Sequence, residues 1–238
     1  TDLGYDDGTR DFPSFVQRAI NGNQKLDRSN FKTYQLANAG REFVNSELWV
    51  IQEGDVPLDN SVSFTYGDEL DIDIERLLDD ESATVGVLLT AGVKSSWETQ
   101  EGIRQTGDIQ AQGDGTSIVI RGNDKTFKST SNNVTSYLMA VAGIETDSAE
   151  LKYTGMYIHK GTKEARTLQG YDTSDSGDVR EDFTEFFERE LINHQLNYNY
   201  LFQNDIQLDV RLAGGDASRY APYERVVFYE DTDDRGFW

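Results

Sequence analysis

The chain of 238 residues contains no cysteine, two histidines, two methionines and three prolines. Without cysteine, neither disulfides nor thiolate metal ligands can stabilise the fold. No stretch approaches the roughly 18 consecutive apolar residues of a transmembrane helix. The first five residues lack the basic and apolar pattern of a signal peptide, so none is expected. The core has to be built from 12 phenylalanines, 12 tyrosines, 3 tryptophans and the aliphatic residues.

Basic residues are also scarce, with 22 Lys plus Arg against 43 Asp plus Glu and a formal net charge of -21. Such self-repulsion opposes a compact state unless salt screens it. Arginines outnumber lysines by 14 to 8, and arginine loses water more readily than lysine. The pattern favours a protein of a halophilic host, with an ordinary acidic mesophilic protein as the alternative. The phosphate backbone would meet net repulsion, so we expect no direct contact with nucleic acid.

The segment at residues 68–75 shows this charge bias most clearly. Every second residue is apolar and the residues between are acids, which predicts a strand because side chains alternate across a strand with period two. The apolar set is Leu70, Ile72 and Ile74, and the acidic set is Glu69, Asp71, Asp73 and Glu75. The acids have no cation on their face, so the strand suits concentrated salt, where the Debye length falls from about 10 Å at 0.1 M to about 3 Å at 1 M.

Residues 1–30 are polar and acidic and predict an N-terminal arm. The apolar residues with the spacing of two helical turns are Phe12, Phe15, Val16, Ala19 and Ile20. The arm either packs on its own core or clasps a neighbouring subunit, and Phe12 and Phe15 are its candidate subunit contacts. The terminal pair Phe237 and Trp238 is a candidate for the same role, with burial against its own chain as the alternative.

From residue 31 onward, β-branched and aromatic segments alternate with turns rich in Gly, Asn and Asp, as in a chain of short strands. The predicted strands are 41–52, 62–64, 68–75, 83–93, 117–121, 134–142, 151–159, 196–202, 206–212 and 225–230. Turns are predicted at 53–57, 76–82, 113–115, 122–124, 143–147, 204–205 and 214–216. Residues 161–178 predict a long polar connection.

One helix is predicted to interrupt the sheet after residue 178. Asp178 and Glu181 have the spacing of a capping box, and acids in the first turn suit the positive end of a helix. The residues predicted to share its apolar face are Phe183, Phe186, Phe187, Leu191 and His194. Its polar face is rich in glutamate, which anionic lipid headgroups would repel, so we expect it to pack on the sheet or on a neighbour.

These elements predict a mainly β chain: a jelly-roll β-sandwich or barrel with one amphipathic helix and inserted loops. Residues 31–238 would form a single jelly-roll domain behind the arm of residues 1–30.

Catalytic patterns are scarce. Nucleophilic catalysis would need a hydroxyl beside His159 or His194, or else a lysine or carboxylate. His194 lies on the apolar face of the predicted helix, as a core residue does. His159 ends a predicted strand beside Lys160, where a solvated strand tip is expected. The sequence has no Gly-x-Ser-x-Gly elbow, no phosphate-binding loop and no His-x-x-x-His pair. We predict no catalytic residue and no cofactor.

Two acidic loops, 172–178 and 231–236, have the oxygen-rich spacing that Ca²⁺ favours. Neither carries a glutamate at the twelfth position of a standard calcium loop. Asp172, Asp175 and Asp178 are the metal-site candidates, and solvated acidic loops are the simpler interpretation.

Extreme acidity, a β-rich chain of 26.9 kDa, the lack of thiols and catalytic patterns, and the N-terminal arm together resemble one viral family. It is the larger major capsid protein of haloarchaeal icosahedral viruses with an internal membrane, the sphaerolipovirus group. The resemblance implies an upright single jelly roll with the strands at 43–52, 70–74, 83–93, 206–212 and 226–230 in its barrel. Loops inserted within 94–130 would form a tower that faces the brine.

The resemblance also implies partners and a location. A smaller single-jelly-roll major capsid protein would join this chain in capsomers over a viral membrane that it does not span. Copies of the chain and minor vertex proteins of the capsid would be further neighbours. The protein would reside in the virion after assembly in the host cytoplasm.

Two other functions stay open. A halophilic cell-surface or carbohydrate-binding β-sandwich would use Trp49, Trp97, or Tyr220 with Tyr223, as a stacking platform. A tube or decoration protein of a tailed haloarchaeal virus would share the acidity and the strands. An enzyme ranks last.

Overall fold

The computed structural model describes residues 3–8, 10–44, 51, 53–73, 82–111, 113, 117–174 and 177–230. Two helices, α1 (Ser14–Asn21) and α2 (Thr33–Val44), precede the strands. Six strands are described: β1 (Asn60–Asp73), β2 (Ser82–Ala111), β3 (Ser117–Glu145), β4 (Ala149–Asp172), β5 (Gly177–Leu201) and β6 (Gln207–Glu230). They form one antiparallel sheet in chain order, and β1 and β6 are the edge strands among the described residues.

The predicted mainly β class is therefore confirmed, and an open antiparallel sheet is consistent with a sandwich-like or jelly-roll-like fold. Within the described ranges every strand pairs with its neighbour in sequence, as in a meander. The Greek-key pairings of a jelly roll are not among these described pairings.

The strands are much longer than the usual 3 to 10 residues. β2 and β3 form a hairpin of 30 and 29 residues, which at about 3.4 Å per residue reaches about 100 Å. Turns predicted at 122–124 and 214–216 were wrong, because the chain continues through them inside β3 and β6. The tower predicted from inserted loops at 94–130 coincides with the distal half of this hairpin, so these residues are mostly strand.

Proline placement permits these lengths. Pro13 and Pro57 lie outside the strands, and Pro222 is on the edge strand β6. The register between β5 and β6 shifts there, between Phe186 and Glu188, and Pro222 has no paired residue. Proline cannot donate to a ladder, so an edge strand at an irregularity is where a sheet tolerates it.

The predicted helix at 178–194 was wrong, because these residues belong to β5. β4 and β6 pair with β5 on both sides and supply its backbone hydrogen bonds. Glu181, the presumed capping residue, instead accepts a bond from Lys125 on β3. Pairing with distant strands has overridden the helical period of 3.6 in the sequence. The polar connection predicted at 161–178 was also wrong, because these residues lie mostly in β4.

The N-terminal half of the chain brings one confirmation and one correction. The predicted helical turns form α1, whose Val16 and Ala19 are buried. The strand predicted at 41–52 was wrong over its first four residues, which end α2, and residues 45–50 and 52 lie outside the described ranges. Helix α2 was missed, although alanines such as the buried Ala39 favour a helix.

Candidate functional site

The sheet register divides the side chains of the six strands between two faces. Residues paired across strands point to the same side, so one row contains Tyr66, Leu89, Ala140, Gly155, His194 and Gly214. The rows on either side of it are also mostly apolar, with one aspartate each, Asp68 and Asp216, at an end of the row. These rows form a continuous apolar surface that crosses all six strands.

We call this surface the open face, because large apolar side chains on it are exposed, from Val62 at 77% on one edge strand to Leu212 at 61% on the other. Its exposed large apolar residues are Val62, Phe64, Tyr66, Leu70, Val87, Leu89, Leu138, Leu151, Tyr153, Leu196, Leu208, Val210 and Leu212. A contiguous exposed apolar surface of this extent is typical of an interaction site.

The opposite face of the same strands differs in composition. Serines, threonines and charged residues lie at its edges, with an apolar strip in the middle formed by Met139, Met156 and Ile158. The acids Glu69 and Asp71 lie on this face, as the alternation within 68–75 predicts. Leu70 lies on the open face and is exposed, so the described residues do not cover the apolar side of β1 at this position. Residues 74 and 75 lie outside the described ranges.

The N-terminal arm covers the same side of the sheet from one end of the open face, at Tyr157 and His159 in the rows of Phe64 and Val62. Tyr5 stacks on His159 at 3.7 Å between ring centroids, and its hydroxyl lies 2.7 Å from that of Tyr157. Tyr157 in turn donates to Glu190 Oε2 at 2.9 Å. Burial, followed by the hydrogen bonds to Tyr5 and Glu190, raises the pKa of Tyr157.

His159 is the centre of this contact, which we call the arm seat, and it is 1% exposed. Its Nε2 lies 3.1 Å from Glu188 Oε2, and its Nδ1 has no hydrogen-bond partner among the described residues. The other carboxylate oxygen of Glu188 accepts the backbone N–H of Asp6. The predicted solvated tip at His159 was therefore wrong.

Two further contacts fix the arm. The guanidinium of Arg10 lies 4.3 Å from the ring centroid of the buried Phe186 and forms an ion pair of 2.7 Å with Asp6. At the other end, a Cβ on Gly161 would clash with the backbone of Gly4, so only glycine permits this close approach.

The arm thus packs on its own sheet, through residues that sequence reasoning missed. Phe12 remains exposed, and Phe15 packs edge-on against Phe31 at 5.1 Å, so neither lies in the arm seat. Phe237 and Trp238 lie outside the described residues. The exposed side chain of Phe12 leaves its predicted subunit contact open.

The candidate calcium loop contains an ion pair instead of a ring of free oxygens. Lys125 Nζ lies 2.7 Å from Asp172 Oδ2 and 2.6 Å from Glu181 Oε1, and both Lys125 and Asp172 are buried. The ammonium group, followed by the bonds from Ser174, lowers the pKa of Asp172 to about 2. Asp178 is exposed on β5 and Asp175 lies outside the described ranges.

A row of glutamates crosses the opposite face farther along the sheet. Glu164, Glu185 and Glu224 are paired residues on β4, β5 and β6. Burial, followed by the charges of Glu164 and Glu224, raises the pKa of Glu185. Three neighbouring acids therefore repel one another inside the folded sheet.

The remaining predicted residues do not converge on one site. His194 lies on the open face with its Nδ1 2.7 Å from the Tyr153 hydroxyl. Trp97 on β2 and Tyr220 on β6 are four strands apart, about 19 Å at the usual strand spacing. Trp49 and the side chain of Tyr223 lie outside what the structure describes.

Among the described residues, no group of three or more His, Asp or Glu side chains is arranged to hold a metal ion. Neither described helix has the length and apolarity needed to cross a membrane. No protein-family model and no curated protein matches this chain.

Proposed function

We propose that this chain is a structural subunit of a halophilic virus, a major capsid protein that assembles with a smaller jelly-roll partner. The open face is the observation that carries the proposal. A β-sheet normally buries its apolar face against a second layer, and here the described residues cover only the part that forms the arm seat. A sheet left incomplete in this way is suited to assembly with other subunits.

The surroundings of the two histidines support a structural role over catalysis. His159 is covered by Tyr5, so a substrate has no access to its ring without release of the arm. His194 is exposed, and its described partner is the Tyr153 hydroxyl and not the serine or threonine hydroxyl of a nucleophile–base pair.

The shape of the sheet is compatible with the proposed capsomer. Beyond Ser95, the last residue of β2 paired with β1, the hairpin continues through residues 96–111 without a β1 partner. This extension would form the predicted tower. The minor vertex proteins and the viral membrane would lie around the capsomer in the virion.

The test is the location of the chain in a culture that produces it. Particles are banded in a density gradient in molar salt, and their proteins are quantified by mass spectrometry. We expect the chain at the abundance of a major component, with one smaller partner at a fixed ratio. Recovery only in the cell envelope or in the soluble fraction would refute the proposal.

Dilution of the salt adds a second readout. The banded particles should release both proteins when molar salt is lowered to millimolar, as measured by light scattering. A tube or decoration protein would instead band with tailed particles.

A further inference from the structure

We infer that the open face packs against the same face of a second copy of this chain, so that two sheets form a β-sandwich across a two-fold axis. The inference goes beyond the capsid role, because it names what covers the open face and applies to the purified chain alone.

The stretches of this sequence outside the described ranges are each too short to provide this cover. Arm residues 4–8 and 10 occupy the part of the sheet around His159 and Phe186. The longest stretches outside the described residues are 74–81 and 231–238, eight residues each. Eight residues extend about 27 Å as one strand, which covers the width of one strand and leaves the others bare.

The area of the open face suits a dimer. From Val62 to Ile72 it extends over 11 residues, and it crosses six strands. At about 3.4 Å per residue and 4.8 Å between strands this part of the sheet measures about 34 Å by 24 Å, or about 800 Å². The arm seat occupies about 100 Å² of it, at Tyr157, His159 and Glu190, which leaves about 700 Å² open. Stable protein interfaces bury about 800 Å² on each partner, and sheets that pack face to face lie about 10 Å apart.

The distribution of charge on the open face favours a partner whose contact surface is also apolar. The acids at the ends of its rows, Asp68 and Asp216, lie on the edge strands β1 and β6. Asp68 accepts a bond of 2.9 Å from the Tyr66 hydroxyl. Glu190 on β5, in the row of Val62, belongs to the arm seat, where it accepts the Tyr157 hydroxyl. In the rows from Tyr66 to Ile72, the described positions on β2 to β5 have no Lys, Arg, Asp or Glu to match a charged partner, so an apolar sheet is the matching surface. A second copy supplies that surface with an isologous, closed geometry.

Leu88 and Leu89 provide a matched pair of variants. They are neighbours on β2 with similar exposure, 36% and 40%, and they point to opposite faces. We expect the wild-type chain in molar KCl to sediment at twice its mass of 26.9 kDa. Leu89→Glu places an unpaired charge inside the interface and should weaken the dimer at least about 100-fold, whereas Leu88→Glu should leave it intact.

Circular dichroism on both variants shows whether they keep their fold, and cross-linking gives a second readout if they do not. The chain has no cysteine, so Leu89→Cys and Leu88→Cys each introduce a single thiol for a bismaleimide. We expect cross-linked dimers from Leu89→Cys and few from Leu88→Cys.

A monomeric wild-type chain, or equal effects of the two positions, would overturn the pairing of copies. A monomer that nevertheless bands with particles would overturn only this inference and leave the capsid proposal standing. A dimer that never bands with particles would refute the capsid proposal and leave the pairing of copies standing.

Discussion

Truncation of Phe186 tests the arm seat most directly. Its ring is 2% exposed and lies beneath the guanidinium of Arg10 at 4.3 Å. Truncating a buried phenylalanine to alanine typically costs about 3–5 kcal/mol, and a cation–π contact contributes about 0.5–2 kcal/mol. We expect Phe186→Ala to lower the free energy of unfolding by about 4 kcal/mol, a large share of the 5–15 kcal/mol typical of a folded domain.

The assay is urea unfolding in molar KCl followed by circular dichroism, because urea leaves the ionic strength unchanged. Phe228→Ala is the matched control, since Phe228 on β6 is 45% exposed; it should cost about 1 kcal/mol or less. A double-mutant cycle with Arg10→Ala should show coupling of about 0.5–2 kcal/mol. A loss of less than about 1 kcal/mol for Phe186→Ala, or an equal loss at Phe228, would refute the described packing.

Three further predictions concern charge. Dilution from molar to millimolar salt should unfold the chain, as measured by circular dichroism, and indifference to salt would contradict the halophilic interpretation. Burial and two neighbouring glutamates raise the pKa of Glu185, so its ionisation destabilises the fold as the pH rises. Glu185→Gln should therefore raise the urea midpoint of unfolding at neutral pH. The same change at the exposed Glu69, Glu69→Gln, should leave the midpoint unchanged. Asp172, with its pKa lowered from 3.8 to about 2, stabilises the fold above pH 4 and loses this effect as the pH falls towards 2. Asp172→Asn should therefore cost at most about 2 kcal/mol at neutral pH, with Asp178→Asn as the exposed control; a difference that persists at pH 2 would contradict the ion pair with Lys125.

Local alternation made several strands predictable. The period-two pattern within 68–75 identified the end of β1, and the apolar run at 83–93 identified the start of β2. The turn at Asn204 and Asp205 between β5 and β6 was also predicted correctly, and Asp205 has the positive φ of 62° that such a turn requires. These features depend on neighbouring residues, so the sequence contains the information needed to predict them.

Features decided by distant residues could not be predicted. The phenylalanines of β5 fit a helix as well as a strand, and the choice was made by pairing with β4 and β6. Tyr5 and Tyr157 meet across 152 residues of sequence, and no local pattern links an arm tyrosine to a buried histidine. The tyrosine within the polar segment at 5–8 was the only available signal, and it carries no information about its partner.

Charge and the open face together place a salt requirement on the proposed pairing. Each copy carries a formal charge of -21, and two sheets packed face to face lie about 10 Å apart. That distance equals about one Debye length at 0.1 M salt and about three at 1 M. Repulsion between the outer acids therefore acts across the sandwich in dilute salt and is screened in brine, whereas contact between apolar side chains does not depend on that screening. As the salt is diluted, the dimer should therefore dissociate first, at a higher salt concentration than the one at which the arm seat opens. The repulsion within one chain, as in the acid row of Glu164, Glu185 and Glu224, is opposed by chain connectivity, and so is the loss of the ion pair at Lys125. No such connection holds the two copies together.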